Sequence, residues 1–290
     1  MSDIAPALIS IGFHGLTLAM VLYLISVGLS VTMGLMGFVN LAHGAFAMAG
    51  GYVASTLMSR HGVPFPLAII AAVAVVTLSS VVLERLLYRR LYGAEELDQV
   101  LLTMGLIFMS VGAATFIWGP LSQPMQPPHY LQGGIEVLGR TLPTYRLFLI
   151  VSGAVVVTLL WLALERTRFG AQLRAAVDNL RMAETVGINT SRLFAFAFAL
   201  GSGLAALGGA LGAEVLAITP GYALEHLAYF LIVVAVGGLG SIRGPFFAAL
   251  MVGISDTALK YFAPEYGAFF IYALTMIILL RYPRGLLGRA

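Results

Sequence analysis

From residue 4 to residue 59 the chain carries no Asp, Glu, Lys or Arg. Those 56 residues are long enough for two bilayer crossings of about 20 residues each. In their middle sits Gly34-Leu-Met-Gly-Phe-Val-Asn-Leu-Ala-His-Gly-Ala-Phe-Ala-Met-Ala-Gly-Gly51. The second crossing therefore holds Asn40 and His43 at membrane depth among glycines. Polar side chains are costly there unless they face a protein interior or a wet path. The pattern is that of a membrane transport protein.

Composition agrees, with 60% hydrophobic and 10% charged residues, against roughly a quarter charged in soluble domains. No polar stretch is long enough to fold separately, so residues 1–290 are expected to form one transmembrane domain. The start lacks a basic region, so no cleavable signal peptide is expected. Zero cysteines exclude disulfides, thiolate catalysis and Cys-ligated metals.

Apolar runs predict an all-α, polytopic protein with about 8–10 transmembrane helices. The candidate spans are 7–31, 33–58, 66–88, 99–119, 145–165, 192–216, 226–242, 244–262 and 266–282, the first two and last four open to being broken or tilted. Of the 16 Lys and Arg residues, 12 fall in 84–98, 166–192, 240–244 and the tail 281–290. Positive residues favour the cytoplasmic face. The loop at about 166–192 and the C-terminus are therefore expected inside and the 120–143 loop outside. That outer loop is rich in Pro, Gln and Gly and is expected to be irregular. A weak echo between 34–51 and 237–253 would fit an inverted repeat.

Gly37, Asn40, Gly44, Ala47 and Gly51 follow spacings of 3, 4, 3 and 4, which on a helix form one stripe of small residues and an amide, with His43 on a neighbouring part of that face. Two readings stay open. The stripe is a close-packed helix contact, or a broken or re-entrant element lining a substrate path. Both turn the face inward, and His43 is expected to have a hydrogen-bonding or gating role without obligatory proton transfer. No second His or carboxylate has metal-ligand spacing around it.

The segment 166–192 looks ordered for a loop. Alanines, Leu173, Leu180, Met182 and Val186 favour helix. Two short helices are expected at about 170–177 and 179–186, with Asp178 as N-cap of the second and Gly187 just past its end. The segment is either an interfacial amphipathic element held by Arg174 and Arg181, or a docking element that transmits motion from a soluble partner. Arg174, Asp178, Glu184 and Gly187 are the coupling candidates.

At these residues the chain resembles a family. Ala175-Ala-Val-Asp178, Ala183, Gly187 and Ile188 resemble the coupling-loop pattern of ABC-importer permeases. Gly37-Phe-Val-Asn-Leu-Ala-His-Gly44, with Met48, Gly50 and Tyr52, is similar to the hallmark of the branched-chain amino-acid ABC transporter permeases (LivH-like). Gly237-Gly-Leu-Gly-Ser-Ile-Arg-Gly244 and Arg281-Tyr-Pro-Arg-Gly-Leu-Leu-Gly288 match in the same order, with Arg243 departing from the small residue or Pro often found there. The resemblance spans essentially the whole chain. It implies a permease subunit of a heteromeric importer in a bacterial inner membrane. Its expected partners are a second homologous permease, two cytoplasmic ATPase subunits, a periplasmic substrate-binding protein and membrane lipid, with no nucleic acid. The permease itself is expected to hold no cofactor, ATP being bound by partner subunits. The translocation path is expected to include Gly37, Asn40, His43 and Gly44. Branched-chain or related apolar amino acids are the expected substrates, with amides, urea or aromatic acids open.

Other features read as structure. The spacing of Gly237, Gly238, Gly240 and Gly244 matches no nucleotide-binding motif and predicts a tight turn. Asp256 has Lys260 at i+4 as a partner. Glu214, Glu225 and His226 are expected around the outer ends of neighbouring spans, solvated or facing a binding protein. Ser202 sits on a small-residue face, with no carboxylate pair or H-E-x-x-H nearby, so enzymatic chemistry is not expected. An ion-coupled carrier has thin support, since Asp256 is the clearest carboxylate inside a span.

Overall fold

The computed structural model describes residues 4–123, 125–137 and 139–287. The charge-free N-terminal run forms α1 (Ile4–Met36), a break, and α2 (His43–His61). Two outward-facing helices follow, α3 (Phe65–Leu86) and α4 (Glu96–Trp118). A hairpin of β1 (Gly134–Val137) and β2 (Arg140–Pro143) leads into α5 (Thr144–Arg166). Two short helices come next, α6 (Arg168–Asp178) and α7 (Leu180–Thr185), and then α8 (Thr190–Gly212). The chain closes with α9 (Tyr222–Glu225), α10 (Leu227–Gly237), α11 (Arg243–Phe262) and α12 (Gly267–Arg281).

The protein is all-α and polytopic, as expected. Five helices among the described residues are long and apolar enough to cross a membrane: α1, α3, α4, α5 and α8. The apolar stretches Tyr222–Gly237 and Phe269–Arg281 are shorter. The span expected at 226–242 is one of those left open to being broken, and it is broken. Its helix α10 has only 11 residues, about 16 Å at ~1.5 Å per residue, because α9 is set off from it at His226 and Gly238 ends it at φ 98°.

Helix α1 is the hub. It packs against α5, α8, α10 and α11, while α2 and α3 pack against α8. Two of its threonines are bonded within the helix: Thr17 Oγ1 donates to the Phe13 carbonyl and Thr32 Oγ1 to that of Gly28. This local bonding is what lets hydroxyls lie in an apolar interior. Helices α3 and α4 instead display Leu67, Ile70, Leu78, Phe108, Met109 and Phe116 outward. Such surfaces suit lipid or another membrane helix, not water.

The 120–143 loop is more regular than expected. Gly134 to Val137 pair antiparallel with Pro143 to Arg140, and Gly139, just before the second strand, has φ 77°. Tight hairpin connections favour glycine because they call for a positive φ. Gly139 was therefore the signal for a hairpin inside a stretch that its prolines otherwise mark as irregular.

Candidate translocation and coupling sites

The break between α1 and α2 corrects the expected helical stripe. Helix α1 stops at Met36, Gly37 takes φ 59°, and its N–H donates to the Met33 carbonyl at 3.0 Å. Residues 37–40 are non-helical, and α2 starts only at His43. Asn40 and His43 thus do not share a helix face, and the stripe survives only from Gly44 onward. Gly37 is where the register is lost, since a non-glycine residue rarely adopts that backbone conformation.

Both polar residues are buried inside the chain. His43 Nε2 lies 2.9 Å from the Ile25 carbonyl. A carbonyl only accepts, so the proton sits on Nε2. Asn40 Oδ1 accepts from the Tyr88 hydroxyl at 3.3 Å, whereas Asn40 Nδ2 has no partner among the described residues. An orphan donor at such depth is costly unless another group meets it.

Helix α4 clamps the break from outside. Gln99 Oε1 accepts from the Val39 N–H at 3.0 Å, and Thr103 Oγ1 reaches the Val39 carbonyl at 3.5 Å. Gln99 Nε2 donates to the carbonyls of Leu91 and Ala94. Glu84, also buried, accepts from Tyr92 at 2.7 Å. Sequence reasoning missed Tyr88, Gln99, Thr103 and Glu84. Their signal was present, because lone amides and carboxylates at the edges of apolar runs need partners. Gln99→Leu is expected to free the Val39 backbone and cut uptake about tenfold while the protein still inserts. Uptake in membrane vesicles, normalised to permease amount, reads this, and unchanged uptake would remove the clamp.

Gly44 seats α2 on Ala223 and the Phe230 ring, and Gly209 of α8 seats it at Ala47. The close-packing reading therefore holds for α2 from Gly44 onward.

In the 166–192 segment both short helices are present, but the cap is corrected. Asp178 is the last residue of α6, and Asn179 caps α7, its Oδ1 accepting from the Met182 N–H at 3.0 Å. Asn and Asp are equally good caps, so neighbouring candidates cannot be separated by type. Gly187 has φ 88°, as expected just past a helix end. Glu184 accepts from Thr190 at 2.8 Å, and Arg174 donates to the Leu164 carbonyl, tying α6 to α5. Leu173, Ala176 and Ala183 are buried, whereas Leu180, Met182 and Val186 are exposed. Asn179→Ala should destabilise α7 by about 1 kcal/mol. Faster proteolysis of this loop in inside-out vesicles would register it, and an unchanged rate would count against the cap.

The turn from 238 to 242 joins these two regions. Gly240 N–H donates to the Ser30 carbonyl at 3.1 Å, and Ser30 Oγ donates to the Ser241 carbonyl at 2.8 Å. A Cβ on Gly34 would overlap the Gly240 backbone, while one on Gly240 would touch Val177 of α6. Contacts thus run from α6 through this turn to α1, within one helical turn of Gly37. Arg243 pairs with Glu165 at 2.6 Å and lies over the Trp161 ring, which gives the departure from the family pattern a local role.

At the opposite end of α1 lie the remaining charges. Asp256 pairs with Lys260 at 2.7 Å, as expected, and also accepts from Tyr229 at 2.9 Å. Glu214 pairs with Arg146, which also donates to His14, and Glu225 accepts from Thr219. Ser202 donates to its own helix at the Phe198 carbonyl.

Residues 11–279 match the family described as branched-chain amino acid transport system / permease component. The chain belongs to that family. BraD of Pseudomonas aeruginosa, a high-affinity branched-chain amino acid transport system permease protein, is 28% identical over 95% of this chain and 94% of its own. LivH of Escherichia coli, described in the same words, is 27% identical over 96% and 94%. A probable branched-chain amino acid transport permease protein of Methanocaldococcus jannaschii is 29% identical over 89% and 84%. The permease is thus a transport component and not an enzyme.

Proposed function

We propose that this permease is the transmembrane subunit of an ATP-driven importer of branched-chain amino acids. The observation that carries this reading is the match over nearly the whole chain to permeases of that name. The proposed assembly holds a second homologous permease, two cytoplasmic ATPase subunits and a periplasmic binding protein, in a bacterial inner membrane. The chain acts there as one transmembrane domain and leaves ATP to its partners.

Its geometry suits alternating access. Exposed Leu180, Met182 and Val186 on and beside α7 offer an apolar face to the ATPases, and Arg174 anchors α6 to α5. Motion of that pair is felt by the 238–242 turn and, through Ser30 and Gly34, by the break holding Asn40 and His43. Gly37, Asn40, His43 and Gly44 border the path in this reading. A broken segment inside a membrane protein is tolerated where it lines a protein-enclosed route.

The test is uptake of labelled leucine by proteoliposomes carrying the permease with the subunits encoded beside it. Uptake that needs ATP and the binding protein is expected. Uptake that survives ATP depletion and collapses with a proton uncoupler would overturn the reading in favour of an ion-coupled carrier. Saturable uptake of urea or amides but not leucine would replace the substrate.

A further inference from the structure

Between the first half of α1 and helices α5, α10 and α11 lies a cavity of about 340 Å³. Its size falls in the range of about 300–1,000 Å³ typical of small-molecule sites. Leu18 and Leu22 of α1 form one wall, and Val215 and Leu216 continue the apolar lining. Arg146 of α5 and Asp256 of α11 also line it, together with Tyr229 and Lys260. The Asp256 side chain is almost fully buried. A carboxylate in such a place is held by partners or by a bound cation.

Each charge is paired without a guest and still has capacity to spare. Arg146 uses Nε and Nη2 on Glu214 and Nη1 on His14, which leaves N–H groups of its five. Asp256 accepts from Tyr229 and Lys260, two of about four acceptor positions on a carboxylate. One cavity therefore offers a guanidinium, a buried carboxylate and an aliphatic wall. An α-amino acid with an apolar side chain carries the complement: a carboxylate, an ammonium and a hydrocarbon group.

We propose that this cavity is a binding site for the zwitterionic amino acid within the permease subunit itself. Arg146 takes the substrate carboxylate, Asp256 takes the ammonium, and Leu18, Leu22 and Leu216 take the side chain. Such a site would select zwitterions over their amide and acid analogues, because the amide forfeits the contact with Arg146 and the acid forfeits the contact with Asp256. The inference rests on the importer reading above and deepens it. The β2–α5 connection and the end of α11 place the cavity on the side of the 120–143 loop, where substrate arrives in that reading.

The test uses the purified transporter complex without its binding protein and measures labelled leucine by scintillation proximity. Saturable binding is expected, displaced by isoleucine and valine. Leucinamide, which lacks the carboxylate, and 4-methylpentanoate, which lacks the ammonium, should compete at least tenfold less well. Arg146→Gln and Asp256→Asn should each weaken binding at least tenfold. Should either variant fail to assemble, Leu216→Trp decides, since it fills the cavity and keeps both ion pairs; it should abolish binding in an assembled complex. No saturable binding, analogues that compete equally, or unchanged affinity in Leu216→Trp would each overturn the proposal. If the intact system with its binding protein imports leucine while the permease binds none, only this inference fails. If the intact system imports no amino acid, the importer reading fails first.

Discussion

Gly209→Leu is expected to abolish uptake and lower the amount of folded permease at least tenfold. In the structure Gly209 of α8 faces the Ala47 backbone of α2 so closely that even a Cβ would overlap it. Gly50 of α2 makes the reciprocal approach to Ala206 one turn away. Small residues at such crossings let membrane helices meet at backbone distance, where van der Waals packing replaces the hydrophobic drive available in water. Overpacking costs about 1–3 kcal/mol even where side chains can shift, and here the opposing atoms are main chain. Separating α2 from α8 also pulls α2 off the partners of its N-terminal turn, including the Ile25 carbonyl that holds His43. Immunoblots of membranes with uptake assays read both effects. Gly12→Leu is the control, because a Cβ at Gly12 meets nothing. Normal levels and uptake in Gly209→Leu would mean the crossing is looser than described.

How much of this was legible in sequence depends on the distance over which each feature is determined. The helices follow from apolar run length, a local property, so α3, α4, α5 and α8 fall close to the expected spans. Gly187 was readable because a helix exit needs a positive φ at a single residue. The boundary near residue 37 was not. Gly34, Gly37 and Gly44 look alike in the chain, yet Gly37 breaks the helix by its φ, and Gly34 stays helical to admit the Gly240 backbone. The second role depends on a residue about two hundred positions away, which one sequence does not expose. Asn179 replaced Asp178 as the cap for a similar reason, since one residue of helix extension decides between chemically equivalent neighbours. In the cavity, Asp256 and Lys260 were legible as an i,i+4 pair. Arg146, on α5 and more than a hundred residues earlier, joined it only through the fold.

The second large effect is expected at Gly34, where one methyl group should disconnect ATP hydrolysis from uptake. A Cβ on Gly34 would overlap the Gly240 backbone, so Gly34→Ala must lift the 238–242 turn away from α1. The turn has little freedom to accommodate this. Gly238 and Gly240 are already at φ 98° and 73°, and two hydrogen bonds fasten it to α1, Gly240 N–H donating to the Ser30 carbonyl and Ser30 Oγ donating to the Ser241 carbonyl. Lifting it breaks the contact between the α6 side and the helix that ends at Gly37, while the exposed face of α7 is untouched. In the assembled importer, ATPase activity should therefore remain within about twofold of wild type, with leucine transported per ATP falling at least tenfold. Ser30→Ala removes one of the two fastenings without a clash and should give a milder loss in the same direction. Equal losses of ATPase activity and uptake in Gly34→Ala would indicate collapse of the fold. Unchanged transport per ATP would show that motion reaches the Asn40 region by another route, for instance through α5, to which Arg174 ties the coupling helix.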